Sequence, residues 1–485
     1  MTGILTKYDV VIGLEVHAQL STNTKIFCGC SAASGSEPNS NICPVCLGHP
    51  GTLPVLNKKA LEYAVLMGIA TQSTINQYST FARKNYFYPD LPKGYQISQF
   101  DLPVCENGFL EISSGHGETK TVRIKRIHLE EDAGKSIHDR GNSTLIDVNR
   151  CGVPLIEIVT EPDFSSAFEA TDYLMKIRQI VRYLGICDGN MEEGSLRCDA
   201  NVSLKIKGEE RLGTKTELKN MNSFKNVEKA INYEIERQFE ILEEGGSISQ
   251  QTLLWNPDKN EAYPMRSKED SHDYRYFPDP DLIPVTISNE MLSEIRSMLP
   301  ELPGAKIKKF TEIYLLPEYD SSVLTQEREI AEFFEEVCKQ TLAFKEVSNW
   351  MMTEVLKILN EKKITISEFN ITPQNFAGLI NEIKSGSISG KIAKDVFADM
   401  LETGKDAASI IDSKNLKQIS DPALIEPVVK SLFDANKQKV NELLEGKEKI
   451  FGFFVGQVMK STSGKANPAL VNELIKKELE NRKNE

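Results

Sequence analysis

Ile146-Asp-Val-Asn-Arg-Cys-Gly-Val-Pro-Leu-Ile-Glu-Ile-Val-Thr-Glu-Pro-Asp163 is the stretch whose reading decides the fold. From Val153 onward, two-residue alternation puts Leu155, Glu157, Val159 and Glu161 on one face of a strand. Ile156, Ile158 and Thr160 fall on the other. A carboxylate on an otherwise apolar strand is costly to desolvate unless it is paired or holds a metal ion. The stretch therefore predicts a sheet strand that carries part of a polar site. At the rise of an extended chain, Glu157 and Glu161 are roughly 13 Å apart, too far to share one ion. The other half of the site must come from other strands, and Glu161 is read as structural.

Two further segments alternate in the same way. In Asp9 to Leu20, Val10, Ile12, Leu14 and Val16 oppose Gly13, Glu15, His17 and Gln19. Glu15 and His17 lie roughly 7 Å apart along one face, so their side chains can converge. Arg197, Asp199, Asn201 and Ser203 alternate with Cys198, Ala200, Val202 and Leu204 to give a second half-polar strand. The missing half-site has candidates in Glu130, Glu131 and Asp132, within Ile127 to Lys135. Three carboxylates gathered within about 7 Å repel by roughly 2 kcal/mol per pair at an effective dielectric of 20. Magnesium, which takes carboxylate oxygens while keeping water and phosphate ligands, relieves that repulsion. The competing reading pairs these acids at the surface with Arg123, Lys125 and Lys135. Gly134-Lys135-Ser136 imitates the end of a phosphate-binding loop, but Leu129 stands where its leading glycine belongs, so it reads as ordinary loop.

Cys28-x-Cys30 and Cys43-x-x-Cys46, twelve residues apart, form two closely spaced thiolate pairs. Four soft ligands on two turns suit a tetrahedral structural zinc. A site closed by four cysteines has no open position for substrate. His49 could replace one ligand, and the alternative is four reduced thiols. Cys105, Cys151, Cys187, Cys198 and Cys338 stand alone in sequence and are expected to be packed.

A chain of 485 residues suggests about three domains. Strands and a few helices (168–184 and 224–242) alternate up to about residue 290, and helical periodicity takes over after Pro284. The expected fold class is α+β. A mostly antiparallel sheet domain spans 1–295, an all-α domain 296–410, and a small helical tail 411–485. Glu327 to Leu342, rich in acids, is expected to be a surface helix. A hydrophobic content of 40% fits a globular chain with a real core. The net charge of −13 excludes RNA binding over the whole surface. From Lys430 to Glu485, however, eleven Lys and Arg face eight Asp and Glu, which leaves a mildly basic end. The start of the chain lacks the pattern of a secretory or transit segment, and nine cysteines then point to a reducing compartment, the cytosol. The longest late apolar run, Ile450 to Met459, is about half the ~20 residues needed to span a bilayer. Its Gly452 and Gly456 predict close helix packing.

Several blocks together resemble one known family. They are Val11-Ile-Gly-Leu-Glu-Val-His17, Arg83-Lys-Asn-Tyr-Phe-Tyr-Pro-Asp90, Tyr95-Gln-Ile-Ser-Gln-Phe-Asp101 and His128-Leu-Glu-Glu-Asp-Ala-Gly-Lys135. The opening stretch, Met191-Glu-Glu-Gly-Ser-Leu-Arg-Cys-Asp-Ala-Asn201, Lys215-Thr-Glu-Leu-Lys-Asn220, Asp273-Tyr-Arg-Tyr-Phe-Pro278 and the tail from Phe453 to Pro468 complete the set. The chain is similar to the B subunit of the bacterial and organellar glutamine-dependent aspartyl/glutamyl-tRNA amidotransferase along essentially its whole length. That resemblance implies a sheet domain of the glutamine synthetase and guanidino kinase type, then a helical domain and a tail that contacts tRNA. It implies phosphorylation by ATP of the side-chain carboxylate of Glu-tRNA(Gln) or Asp-tRNA(Asn), followed by displacement with ammonia. It implies an A subunit that makes the ammonia and a C subunit that clamps the two together; nothing in this chain resembles a Ser–Ser–Lys glutaminase.

Carried over residue by residue, Glu15, His17, Glu131 and Glu157 become the magnesium and catalytic candidates. Glu130 replaces Glu131 if the register differs by one. Lys84, Arg197, Tyr274 and Arg275 could hold phosphate or the aminoacyl end; the alternative is surface ion pairing, for Arg197 with Asp199. Lys460, Lys465, Lys476 and Lys477 are the candidates for tRNA contact, against solvated helix faces. Because the four cysteines vary within the family, a zinc here is structural and no marker of catalysis. Two other classes compete: a small-molecule ligase using the same magnesium chemistry, and a zinc-dependent RNA-binding scaffold.

Overall fold

The structure is a computed structural model that describes residues 4–115, 117–137, 143–265, 274–419, 421–444, 447, 449–462 and 464–484. The chain divides into two compact units, Met1–Pro303 and Gly304–Glu485.

The first unit is built on a nine-stranded sheet. Numbered in chain order, its strands run across the sheet as β14 (Glu261–Pro264), β13 (Thr252–Asn256), β12 (Thr216–Lys219), β11 (Leu196–Ile206) and β1 (Tyr8–Gln19). The sheet continues with β10 (Pro154–Thr160), β7 (Thr119–Glu131), β6 (Cys105–Ser113) and β2 (Thr74–Ile75). Every neighbouring pair is antiparallel except β12 and β13, which are parallel. A three-stranded sheet joins β15 (Phe277–Pro278), β4 (Ala82–Asn85) and β5 (Tyr95–Ser98). Two short pairs join β16 (Val285–Thr286) to β3 (Tyr78–Ser79) and β8 (Lys135–Ile137) to β9 (Leu145–Asp147).

The alternation in β1 explains the layering. Val10, Ile12, Leu14, Val16 and Ala18 are all buried, in one core with the apolar sides of helices Lys58–Ala70, Ala167–Tyr183 and Phe224–Glu243. The last two helices start where the sequence places them, because the Ser166 and Ser223 hydroxyls accept from the Glu169 and Asn226 amides. The helix Phe224–Glu243 stops before Gly245, which takes a φ of +78°. The opposite face of β1 carries Glu15, His17 and Gln19. β10 lies beside β1 in the middle of the sheet, so Leu155, Ile156 and Ile158 are buried whichever way they point. Its register shifts between Val159 and Thr160. There the Thr160 hydroxyl accepts from the Leu14 amide at 2.9 Å and takes over a ladder bond.

The described residues of the second unit are helical apart from short connections and a single bridge between Ile419 and Ala466. It holds two apolar cores, one running from Phe310 to Ile411 and one from Ile425 to Ile475. One sequence expectation is met here and one needs correction. The acidic segment forms a surface helix, Arg328–Cys338, with Glu329, Glu332 and Glu336 exposed; its inner face buries Ile330, Ala331, Phe334, Val337 and Cys338 at helical spacing, and Glu335 is held by Lys306 and Lys309. Gly452 and Gly456 are not a close-packing stripe. A Cβ on either would meet nothing within 4 Å, because Phe454 and Val458 carry the packed face of that helix. Among the described residues no helix is long and apolar enough to cross a membrane.

Candidate functional site

Directly opposed residues in an antiparallel ladder share a face, so the registers assemble the site. His17 faces Glu157 on one side and Arg197 on the other, Glu157 faces His128, Glu15 faces Asp199, and Asn201 faces Glu217. Lys219 and Glu130 lie two residues from Glu217 and His128 and so share their face. The result is a polar surface across β12, β11, β1, β10 and β7, backed by the helix-covered core.

At its centre, His17 Nε2 lies 3.4 Å from Glu157 Oε2 and 3.7 Å from Glu130 Oε1. Donor atoms of His17, Glu130 and Glu157 all lie within 4.8 Å of one another, a spacing that suits a divalent cation. Burial opposes a charge on His17, but the hydrogen bond to Glu157 and the charges of Glu157 and Glu130 outweigh it and lift its pKa to about 9. Burial likewise works against the Glu157 carboxylate, which His128, His17 and Lys84 nevertheless hold well below the usual range. Glu15 stands beside this trio and accepts from Asn201 Nδ2 at 3.1 Å. Burial, then the charges of Glu157 and Glu217, raise its pKa.

Lys84 reaches the same face from β4. Its Nζ lies 4.8 Å from the centroid of the Tyr274 ring, while the Phe100 and Tyr276 rings stack beside it at 4.1 Å. Although burial lowers its pKa, Glu130, Tyr276 and Glu157 raise it more, so the ammonium stays charged. Arg197 grips Asp132 with both terminal nitrogens, at 3.1 and 3.2 Å. The pairing with Asp199 that the sequence allowed does not form: Asp199 takes Lys219, which also holds Glu217 at 3.0 Å. Arg275 sits at a φ of +44°, and its carbonyl accepts from Asn85 Nδ2 at 2.8 Å, which fastens Tyr274 and Arg275 to the end of β4.

Glu131 does not join the trio, and strand alternation is the reason. Glu130 points to the polar face, where Ser98 Oγ donates to it at 3.4 Å. Glu131 points to the other face, where it is ion-paired with buried Lys93 and accepts from the Ile97 amide at 2.8 Å. Nor do the neighbouring acids form the surface pairs of the competing reading. Arg123 is engaged with Asp163, and Asp132 faces Gln19, Arg150 and Arg197.

The second cluster lies in the first unit's loops. Sulfur atoms of Cys28, Cys30, Cys43 and Cys46 all fall within 4.8 Å of one another. Tetrahedral zinc–thiolate bonding needs sulfurs about 3.8 Å apart, so the four can hold a metal ion. The Cys28 hydrogen bond, against burial and with help from Lys25, pulls the Cys46 thiol down to about 4. Lys25 is fully buried, with Nζ 3.7 Å from Cys46 Sγ and 2.8 Å from the Asn41 carbonyl. The other five cysteines are buried as expected.

A sequence profile described as the GatB/GatE catalytic domain matches residues 10–293, and one described as the GatB domain matches residues 332–479. The B subunit of the aspartyl/glutamyl-tRNA(Asn/Gln) amidotransferase of Chlorobium phaeobacteroides is 56% identical over 473 residues, 98% of this chain and 99% of that protein. Its counterpart in Chlorobium luteolum is 57% identical over 98% of this chain and all of its own length. That of Thermodesulfovibrio yellowstonii is 55% identical over 97% and 98%. The chain belongs to the family of amidotransferase B subunits.

In this member of the family, Lys460, Lys476 and Lys477 are exposed on the last two helices, and Lys465 is half-buried in the loop between them. Lys477 pairs with Glu426 at 2.8 Å, which leaves the other three as the better phosphate candidates. Sequence reasoning missed His128, Lys93, Lys219 and the Lys25 beneath the cysteines. Only His128 carried a signal. It alternates with Ile127 and Leu129 in phase with Glu130, so the same count that selects Glu130 also selects His128.

Proposed function

We propose that this chain is the kinase and transamidation subunit of a tRNA-dependent amidotransferase. It acts on the side-chain carboxylate of glutamate on tRNA(Gln), aspartate on tRNA(Asn), or both. The observation that carries this reading is the convergence of His17, Glu130 and Glu157 on one sheet face beside the Lys84 ammonium. A carboxylate oxygen of the aminoacyl group attacks the γ-phosphorus of ATP, and the bond to ADP breaks. Ammonia then adds to the acyl phosphate carbon and inorganic phosphate leaves, giving the amide. His17, Glu130 and Glu157 would hold magnesium, with Glu15 next to them; when bound, it neutralises phosphate charge and orients the nucleotide. Lys84 supplies a fixed positive charge toward developing phosphoryl oxygens. Arg197, held by Asp132, and the Tyr274–Arg275 segment border the place for the aminoacyl end. The sheet with its polar face would serve as the cradle of the glutamine synthetase and guanidino kinase type.

The four cysteines would hold a structural zinc. Ammonia would come from a glutaminase A subunit joined through a C subunit, and the tail from about residue 411 would follow the tRNA, all in the cytoplasm. The test is reconstitution with A and C subunits, glutamine, ATP and Glu-tRNA(Gln). Gln-tRNA should form, and should vanish in Glu157→Gln and Glu15→Ala chains that still bind tRNA. Amidation of free glutamate would instead favour a small-molecule ligase, and no ATP consumption under any condition would leave an RNA-binding scaffold.

A further inference from the structure

Phe100 and Tyr276 stack with ring centroids 4.1 Å apart and planes within 10° of parallel. They come from separate elements: Phe100 stands two residues after β5 and Tyr276 immediately before β15, and β4 joins those strands in one small sheet. The Tyr274 ring meets Tyr276 edge-on at 6.1 Å. Neither stacked ring belongs to an apolar core, since Phe100 is 44% exposed and Tyr276 half-buried. A ring left in water forgoes much of the stabilisation that burial gives a large apolar side chain. Tyr276 covers one face of the Phe100 ring, which leaves the second face to offer.

The stack adjoins the charged centre. Ser98, whose hydroxyl reaches Glu130 at 3.4 Å, precedes Phe100 by two residues, at most roughly 7 Å of chain. Lys84 Nζ lies over the Tyr274 ring next to the stack. Burial raises the pKa of the Tyr276 hydroxyl, Lys84 lowers it, and Glu130 and Glu157 raise it again, so that end of the stack feels the centre's charges. We propose that the Phe100–Tyr276 stack is a platform for an adenine ring, which lies on the open face of Phe100 and extends the stack to three rings. This rests on reading the neighbouring sheet face as the kinase site. Both substrates of that reaction carry adenine at a distance from the reacting group, ATP beyond its phosphates and ribose, aminoacyl-tRNA beyond the ester and ribose of its terminal adenosine. A platform at the border of the centre suits either, and every base has a π-face to stack.

The test uses the assembled A, B and C subunits and measures binding of Mg2+–ATP and of tRNA(Gln) with and without its terminal adenosine. Phe100→Leu keeps apolar bulk but removes the ring. It should weaken one adenine-bearing ligand by about 5- to 150-fold, the range for losing a base stacked on an aromatic side chain, and raise the KM of that substrate to match. Phe100→Tyr, which keeps the ring, should restore native affinity. Weakened ATP would assign the platform to the nucleotide's base. Intact tRNA weakened to the level of the shortened tRNA would assign it to the terminal base. Tyr276→Leu, which removes the supporting ring, is the second variant if circular dichroism shows Phe100→Leu to be unfolded. Native affinity for every ligand in a folded variant, with amidation continuing, would overturn the platform. A native enzyme that consumes no ATP would instead overturn the kinase reading beneath it.

Discussion

Glu130 and Glu131 are adjacent in the chain and opposite in consequence. Glu130 faces His17 and the Lys84 ammonium, whereas Glu131 is sealed against Lys93 on the other side of β7. Glu130→Gln should therefore cut ATP-dependent amidation by at least about 100-fold, in line with loss of a group that stabilises transferred charge, while thermal stability barely moves. Glu131→Gln should do the reverse. Breaking a buried ion pair strands Lys93 and costs about 3–5 kcal/mol, read as a lowered midpoint of unfolding. Equal activity losses with equal stability would refute this division. The choice between the two residues is already present in the chain: Ile127 and Leu129 mark the core-facing phase, and Glu131 continues it. Lys93 cannot be found this way. Its partner lies 38 residues further on, and the contact depends on β5 crossing behind β7.

Among the elements, the four-cysteine loops and the first helices after residue 304 carry separate predictions. The loops enclose Lys25, whose buried Nζ is met by Cys46 Sγ and the Asn41 carbonyl. The metal content of the purified chain should be about one zinc, and Lys25→Met should release it faster to a chelator. A retained zinc with unchanged release would show that Lys25 does not steady the thiolates. In the second unit, burial opposes the Asp320 charge, but Lys345 and Ser348 hold its carboxyl below the ordinary range. A depressed folded value means stability present above the unfolded carboxyl pKa, near 3.9, and lost as pH falls toward the folded value. Helix content of that unit should thus hold at pH 5 and decline below about pH 4, and Asp320→Asn should flatten the slope. Helix and strand identities at 8–19, 167–183, 196–206 and 224–243 are readable from periodicity and caps. The helix at 328–338 is readable from its acids, but the face it buries is readable only from the spacing of Ile330, Phe334 and Val337.

At the scale of the whole molecule, the second apolar core of the helical unit opens at Ile425, so the tail is best removed from residue 420. Loss of 420–485 should weaken tRNA affinity and leave stimulation of the glutaminase unchanged. Replacing Lys460, Lys465 and Lys476 together should lower the salt slope of tRNA binding by roughly 2–3. An unchanged slope would remove those lysines from the RNA surface. Charge arithmetic singles out this end of the chain, but not which lysine Glu426 engages, since that contact joins two helices distant in sequence. The centre of the sheet has one more effect, on synthesis. β1 emerges from the ribosome first, yet its neighbours are β10 and β11, the former well over a hundred residues later. At about 5–20 residues per second, both of its edges wait unpaired for roughly 10–30 s. Nascent chains stalled near residue 150 should therefore be held by chaperones or aggregate, and those long enough for β11 to have left the exit tunnel should resist protease.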